Sequence, residues 1–289
     1  MKFKRTILAV SIFLLIILSH GSIAINSSYY SKNTKTSSEF NDLWAVLITF
    51  GTPKSDDKNA GDLLNILKQN GWKEDNIFYL REKEATKDAI LNISDCLNDH
   101  GVKENDMVLF FFSMHGNRTE DVPPLDEPDN LDEVIIAYDE ENKYCEVLDD
   151  ELMLMFEEIK SENMVIIFET CFSGGMIDGS SDLKKSGRII ITSSKEDETS
   201  FGLLLLRGWL FPHFLNKGLK GKADENLDGY ITAEEAFRYA KSRTIKRSTI
   251  FSYIFFIFHR KLINQHPQIY DGWPSEENNE EELRLMSIN

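Results

Sequence analysis

Five short apolar runs, separated by segments of helical periodicity, constrain the fold of this chain more than any other feature. They lie at residues 44–50, 76–80, 106–113, 164–168 and 188–194, the first closing on Gly51. Runs this short and this uniformly apolar suit strands buried on both faces, hence a mostly parallel sheet. Between them, residues 60–69 are apolar at 60, 63, 64 and 67 and stop at Gly71, while 86–98 read as a helix with Thr86 as N-cap. Residues 149–159, 203–215 and 233–243 are predicted helices, and 250–258 a core helix or strand. Strand–helix alternation predicts an α/β fold with helices on both faces of the sheet. Functional groups in such sheets gather at the carboxyl ends of the strands.

The flanks read differently. Residues 2–5 are Lys-Phe-Lys-Arg, an uninterrupted run of apolar and small residues fills 7–18, and Ser22 and Ala24 supply small side chains at alternate positions. This is the layout of a secretory signal over residues 1–24, with an uncleaved anchor over 6–25 as the alternative. Either way the rest of the chain is expected outside the cytoplasm, secreted and without stable membrane contact if the signal is removed. Residues 25–42 read as a flexible lead-in, 43–272 as one domain, and 273–289 as a solvated acidic tail. Within the domain, 117–151 carry 14 Asp/Glu against 2 Lys/Arg, with Pro123, Pro124 and Pro128. That is expected to be a long acidic loop around a short apolar piece at 134–138. A formal charge of −16 argues against a nucleic-acid partner. Three cysteines are too few for a disulfide framework. Export leaves one bridge open, between Cys96 and Cys145, although Cys96 is expected to pack on its helix.

Two predicted strand ends carry chemistry. One reads Ser113-Met114-His115-Gly116, the other Glu169-Thr170-Cys171-Phe172-Ser173-Gly174-Gly175. A cysteine nucleophile needs a base to generate or hold its thiolate, and histidine is the usual one. The glycines let backbone N–H groups approach a substrate carbonyl, with Gly116 and Cys171 as the oxyanion donors.

These stretches, with the Asp132-Glu133 pair, Asp139, and the later Glu198-Thr199-Ser200, resemble the caspase-like superfamily of cysteine peptidases over roughly residues 43–245. The resemblance implies a caspase-like three-layer sandwich, a peptide or protein substrate and no organic cofactor. It also implies a His115–Cys171 dyad acting through a thioester. Glu169-x-Cys171-x-Ser173-Gly174 is similar to the legumain branch, whereas the acidic segment is similar to metacaspases; the caspase pentapeptide Gln-Ala-Cys-x-Gly is absent. Glu169 stands where the family places a carboxylate in the specificity pocket. With the surrounding acids it favours Arg or Lys before the cut, Asn being the alternative. The family's cleavable linker falls at 178–187 and contains Lys184-Lys185. A ligase or transamidase using the same thioester, and a non-catalytic exported module binding calcium or protein, are the competing readings.

A separate motif spans residues 224–235. Asp224, Asn226, Asp228 and Glu235 occupy the oxygen-donor positions of a twelve-residue EF-hand-like calcium loop. Gly229 stands at the sharp turn, Tyr230 offers its carbonyl, and Thr232 would reach the ion through water. Calcium is therefore the expected cofactor.

Overall fold

The computed structural model describes residues 34–35, 40–51, 53–123, 129–178, 183–203, 208–259, 264–275 and 281–288. The expected signal or anchor lies outside these residues. The chain runs β1 (Thr34–Lys35), β2 (Leu43–Phe50), α1 (Pro53–Gln69), β3 (Ile77–Arg81), α2 (Lys87–Leu91), α3 (Ile93–Asp99) and β4 (Met107–Met114). It continues through β5 (Gly116–Glu120), β6 (Leu131–Asp139), β7 (Lys143–Leu148), α4 (Asp149–Glu157), β8 (Asn163–Glu169), β9 (Arg188–Thr192), β10 (Gly202–Leu203) and β11 (Gly208–Trp209). The last elements are α5 (Leu210–Lys217), β12 (Tyr230–Thr232), α6 (Ala233–His259), β13 (Gln268–Asp271) and β14 (Glu282–Ser287).

All five apolar runs are strands of one six-stranded sheet, ordered β13-β9-β8-β4-β2-β3. It is parallel throughout except for β13, which pairs antiparallel with β9. Alternation along the strands divides the core in two. Leu47, Leu109, Phe111, Val165, Ile167 and Ile191 pack with Leu63 and Leu67 of α1, Phe211 of α5 and Phe237 of α6. On the other face Ile48, Phe110, Phe112, Ile166 and Phe168 pack with Ile90 of α2, Leu97 of α3 and Phe156 of α4. The result is the three-layer α/β sandwich. Thr86 caps α2 as expected, its Oγ1 accepting the Ala89 N–H at 3.2 Å.

Three expectations are corrected. The described part of 117–151 is not a loop: β5, β6 and β7 form an antiparallel sheet of their own. Its acids reading as solvent-facing, the segment concealed a strand whose Val134, Ile135 and Ala137 are buried along with Asp132 and Glu133. Nor are residues 273–289 wholly a solvated tail. Leu283, Leu285 and Met286 of β14 enter the core, and β14 pairs with both β12 and β1, the latter inside the expected flexible lead-in. The acid of that strand, Glu282, is neutralised by Arg238 at 2.8 Å. Finally, the helix expected from 203 starts at Leu210, after the short β10–β11 pair.

Candidate active site

Parallel register assembles the site. Ser113 of β4 lies opposite Glu169 of β8 and opposite Thr49 of β2. Two residues beyond each, past the carboxyl ends of these adjacent strands, the chain reaches His115, Cys171 and Gly51. The His115 ring rests on Gly51: a Cβ there would lie 2.6 Å from its Cδ2 and 2.7 Å from its Nε2. Gly51 also has φ 129°, a conformation other residues rarely adopt. Gly116 closes the other side, where a Cβ would come within 2.3 Å of the Cys171 carbonyl oxygen. The strand ends that carry His115 and Cys171 therefore approach closely at Gly116, where only glycine fits.

His115 is exposed and Cys171 half-buried. Burial pushes the Cys171 thiol above its ordinary value; the Glu169 charge adds to this, and a Ser200 backbone hydrogen bond opposes it. A thiol biased toward its neutral form needs a partner to take its proton. Behind it, Phe172 adopts left-handed φ 62° and starts the 3-10 turn Ser173–Ile177. The Phe172 ring carries the Arg118 guanidinium 4.8 Å from its centroid. Glycine is required again at Gly174, whose Cβ would be 2.5 Å from the Glu196 nitrogen, and at Gly175, whose Cβ would overlap the Glu133 carboxyl at 1.9 Å.

Glu169, the expected specificity carboxylate, is only 1% exposed, below the level of Cys171. Of the acids in the preceding segment, Asp132, Glu133 and Asp149 are also buried. The pKa of Asp149 is raised from 3.8 to about 7, first by burial and then by the charges of Asp132 and Asp150. The folded state thus holds a proton that the unfolded chain releases near 3.8. Asp149 consequently costs nothing at pH below 4, and its penalty grows as pH rises to about 7. Asp149→Asn should stabilise the fold at pH 8 by up to about 4 kcal/mol, raising the melting temperature there, and leave it nearly unchanged at pH 4. Thermal melts at the two pH values check this; equal gains at both would contradict it.

The expected cleavable linker is partly tied down. Leu183 is buried, and its carbonyl accepts from Arg188 Nη1 at 3.1 Å. Lys185 pairs with Glu157 at 2.6 Å, and the Gly187 N–H donates to the Gly272 carbonyl at 2.8 Å. Arg188 opens β9 opposite Met164, so Lys184-Lys185 sits at the amino edge of the sheet, about 23 Å along β8 from Cys171. The remaining linker residues 179–182 lie outside the described residues. Cys96, Cys145 and Cys171 are all free thiols. Cys96 stays on its helix beside His100, so the alternative bridge to Cys145 does not form.

The 224–235 loop bends with Leu227 at φ 61° and Gly229 at φ 84°. Its oxygens hold its own backbone. Asp224 accepts from the Asp228 and Gly229 N–H groups, Asn226 from Asp228, and Asp228 from Tyr230. Glu235 accepts from the Glu225 and Thr232 N–H groups, and Thr232 Oγ1 accepts in return from the Glu235 N–H. Among the described residues no cluster of three or more His, Cys, Asp or Glu side chains is arranged to hold a metal ion. The donor chemistry is nonetheless all oxygen, which suits a hard cation, and Glu235 would have to exchange its capping bonds to bind one.

Known proteins resemble the chain in the same places. Residues 58–180, which include both His115 and Cys171, match the family model of the metacaspase peptidase C14 domain. Metacaspase-1 of Candida albicans is 29% identical over 192 residues, covering 58% of this chain and 43% of that protein. Metacaspase-1 of Pyricularia oryzae is 28% identical over 167 residues, with coverages of 57% and 40%. The chain thus spans less than half the length of these relatives. Among solved structures, protein GSU0716 from Geobacter sulfurreducens shares the fold at TM-score 0.52 and 14% identity, over 79% of this chain and 92% of that one. Residues 58–180, which hold both strand ends, are thus similar to a metacaspase peptidase C14 domain, and the chain shares its fold with a solved α/β structure.

Proposed function

We propose that this chain is a cysteine endopeptidase with Cys171 as nucleophile and His115 as general acid and base. The single observation that supports the reading is that adjacent parallel strands lead into His115 and Cys171, with the imidazole resting against Gly51. His115 takes the thiol proton, and the thiolate attacks the substrate carbonyl. The Gly116 and Cys171 N–H groups stabilise the oxyanion, and collapse gives a thioester while His115 protonates the leaving amine. Water then enters by the reverse proton path and frees the acid. The substrate is a peptide or protein. The reading includes export, supported by the basic start and apolar run of residues 2–18.

Cleavage follows Arg or Lys in this reading. Support comes from Glu169 beneath the nucleophile and from the buried and surface acids of β5–β7. A peptide library varied at the residue before the cut tests it. Basic substrates should lead, and Glu169→Gln should slow them about tenfold or more relative to neutral ones, the scale of one lost charge-assisted hydrogen bond. Faster turnover after Asp than after Arg would overturn the assignment.

Calcium binding at 224–235 belongs to the same proposal, supported by the oxygen-donor spacing and by Gly229 at the bend. Saturating calcium should stabilise the fold by about 2.7 kcal/mol at a hundredfold excess over Kd, an effect lost in Asp224→Ala. Identical melting temperatures in calcium and in chelator would remove this part of the reading.

A further inference from the structure

The segment 193–200 holds both flanks of the nucleophile. The Thr170 carbonyl, just before Cys171, accepts the hydroxyls of Ser193, Ser194 and Ser200 at 3.3, 3.2 and 3.2 Å. The Phe172 N–H, just after it, donates to the Glu198 carbonyl at 2.8 Å. Phe172 needs such a hold, because a bulky residue at φ 62° persists only where its surroundings fix it.

The segment is in turn gripped from behind by the connection between α6 and β13. Gln265, fully buried, donates from Nε2 to the Ser193 carbonyl at 2.9 Å and accepts the Phe201 N–H at 3.1 Å. The next residue, His266, engages both oxygens of the Glu198 carboxylate. Its backbone N–H donates to Oε2 at 2.7 Å, and its Nδ1 lies 2.5 Å from Oε1. Glu198 is thus the residue where the two grips meet, its carbonyl on the nucleophile turn and its carboxylate on His266.

We infer that Glu198 is a positioning residue for Cys171, clamped by His266, and that it sets the alignment of the thiol with His115. Glu198 touches no reacting atom; it acts through the Phe172 backbone. The inference rests on the peptidase reading, so its test includes a measurement that needs no peptide substrate.

That measurement is alkylation of the purified full chain by iodoacetamide at pH 6.5 and pH 9, read at each cysteine by peptide mapping. The ratio of the Cys171 rate to the reference-cysteine rate at pH 6.5 reports how far His115 sustains the Cys171 thiolate, and the same ratio at pH 9 reports changes in access. Cys96 and Cys145 serve as internal references. In Glu198→Ala that ratio at pH 6.5 should fall about tenfold, equivalent to one unit in thiol pKa, with the rates of the reference cysteines and the melting temperature nearly unchanged. With an Arg peptide, kcat should fall by a similar factor and KM by less than about twofold. Glu198→Gln, which keeps one acceptor, should restore part of both, and it decides the matter if Glu198→Ala does not fold. Wild-type ratio and kcat in a folded Glu198→Ala, or in Glu198→Gln alone if only that folds, would overturn the clamp while leaving the peptidase reading intact. No excess reactivity of Cys171 at pH 6.5 in the wild-type chain would overturn both.

Discussion

Cys171→Ala should lower peptide turnover by about a thousandfold or more, and His115→Ala by a comparable factor, the scale of removing one member of a catalytic set. The two losses should not add. A thiol that burial and Glu169 hold toward its neutral form is idle without its base, and the base has nothing to deprotonate without the thiol. The double variant is therefore expected to lie within about tenfold of either single variant. Cys96→Ala on α3 and Cys145→Ala on β7 should keep nearly full activity. Initial rates on one Arg peptide check the set; normal turnover in Cys171→Ala would contradict the assignment.

Gly51→Ala should be the most damaging change outside the dyad. The added methyl would sit 2.6 Å from His115 Cδ2 on a backbone with φ 129°. Either the imidazole moves or β2 shifts at its end, and both misplace the base. A displacement of about 1 Å at a catalytic group costs on the order of a hundredfold in rate. Strain at this φ also lowers stability, so the melting temperature should be measured alongside kcat. A loss of kcat of about a hundredfold with the fold intact is the expected result. Unchanged kcat would show that His115 does not depend on Gly51.

The parallel sheet was legible because burial on both faces leaves unbroken apolar runs, and the nearness of His115 and Cys171 was legible because parallel strands end at one edge. Gly51 was visible only as the residue closing its strand; nothing local shows that a histidine 64 positions later rests on it. The β5–β7 sheet was hidden by its acids. Asp132 and Glu133 read as solvated, yet they are buried, and Glu133 fills the space that Gly175 leaves. The strand β14 was hidden for a related reason: its partners β1 and β12 are remote in sequence, and its Glu282 is balanced by an arginine on α6. The two apolar-periodic pieces at 233–243 and 250–258 proved to be one helix, α6, because no glycine or proline separates them. The Glu198–His266 contact joins residues 68 apart and has no local signature at all.

The most direct test of the central claim is active-site labelling. The purified chain should be treated with a peptidyl acyloxymethyl ketone carrying Arg before the reactive group, then analysed by intact mass and peptide mapping. One adduct per chain, located on Cys171 and absent from His115→Ala, is the predicted result. Equal labelling of Cys96, Cys145 and Cys171, or undiminished labelling of Cys171 in His115→Ala, would contradict a His115–Cys171 catalytic dyad.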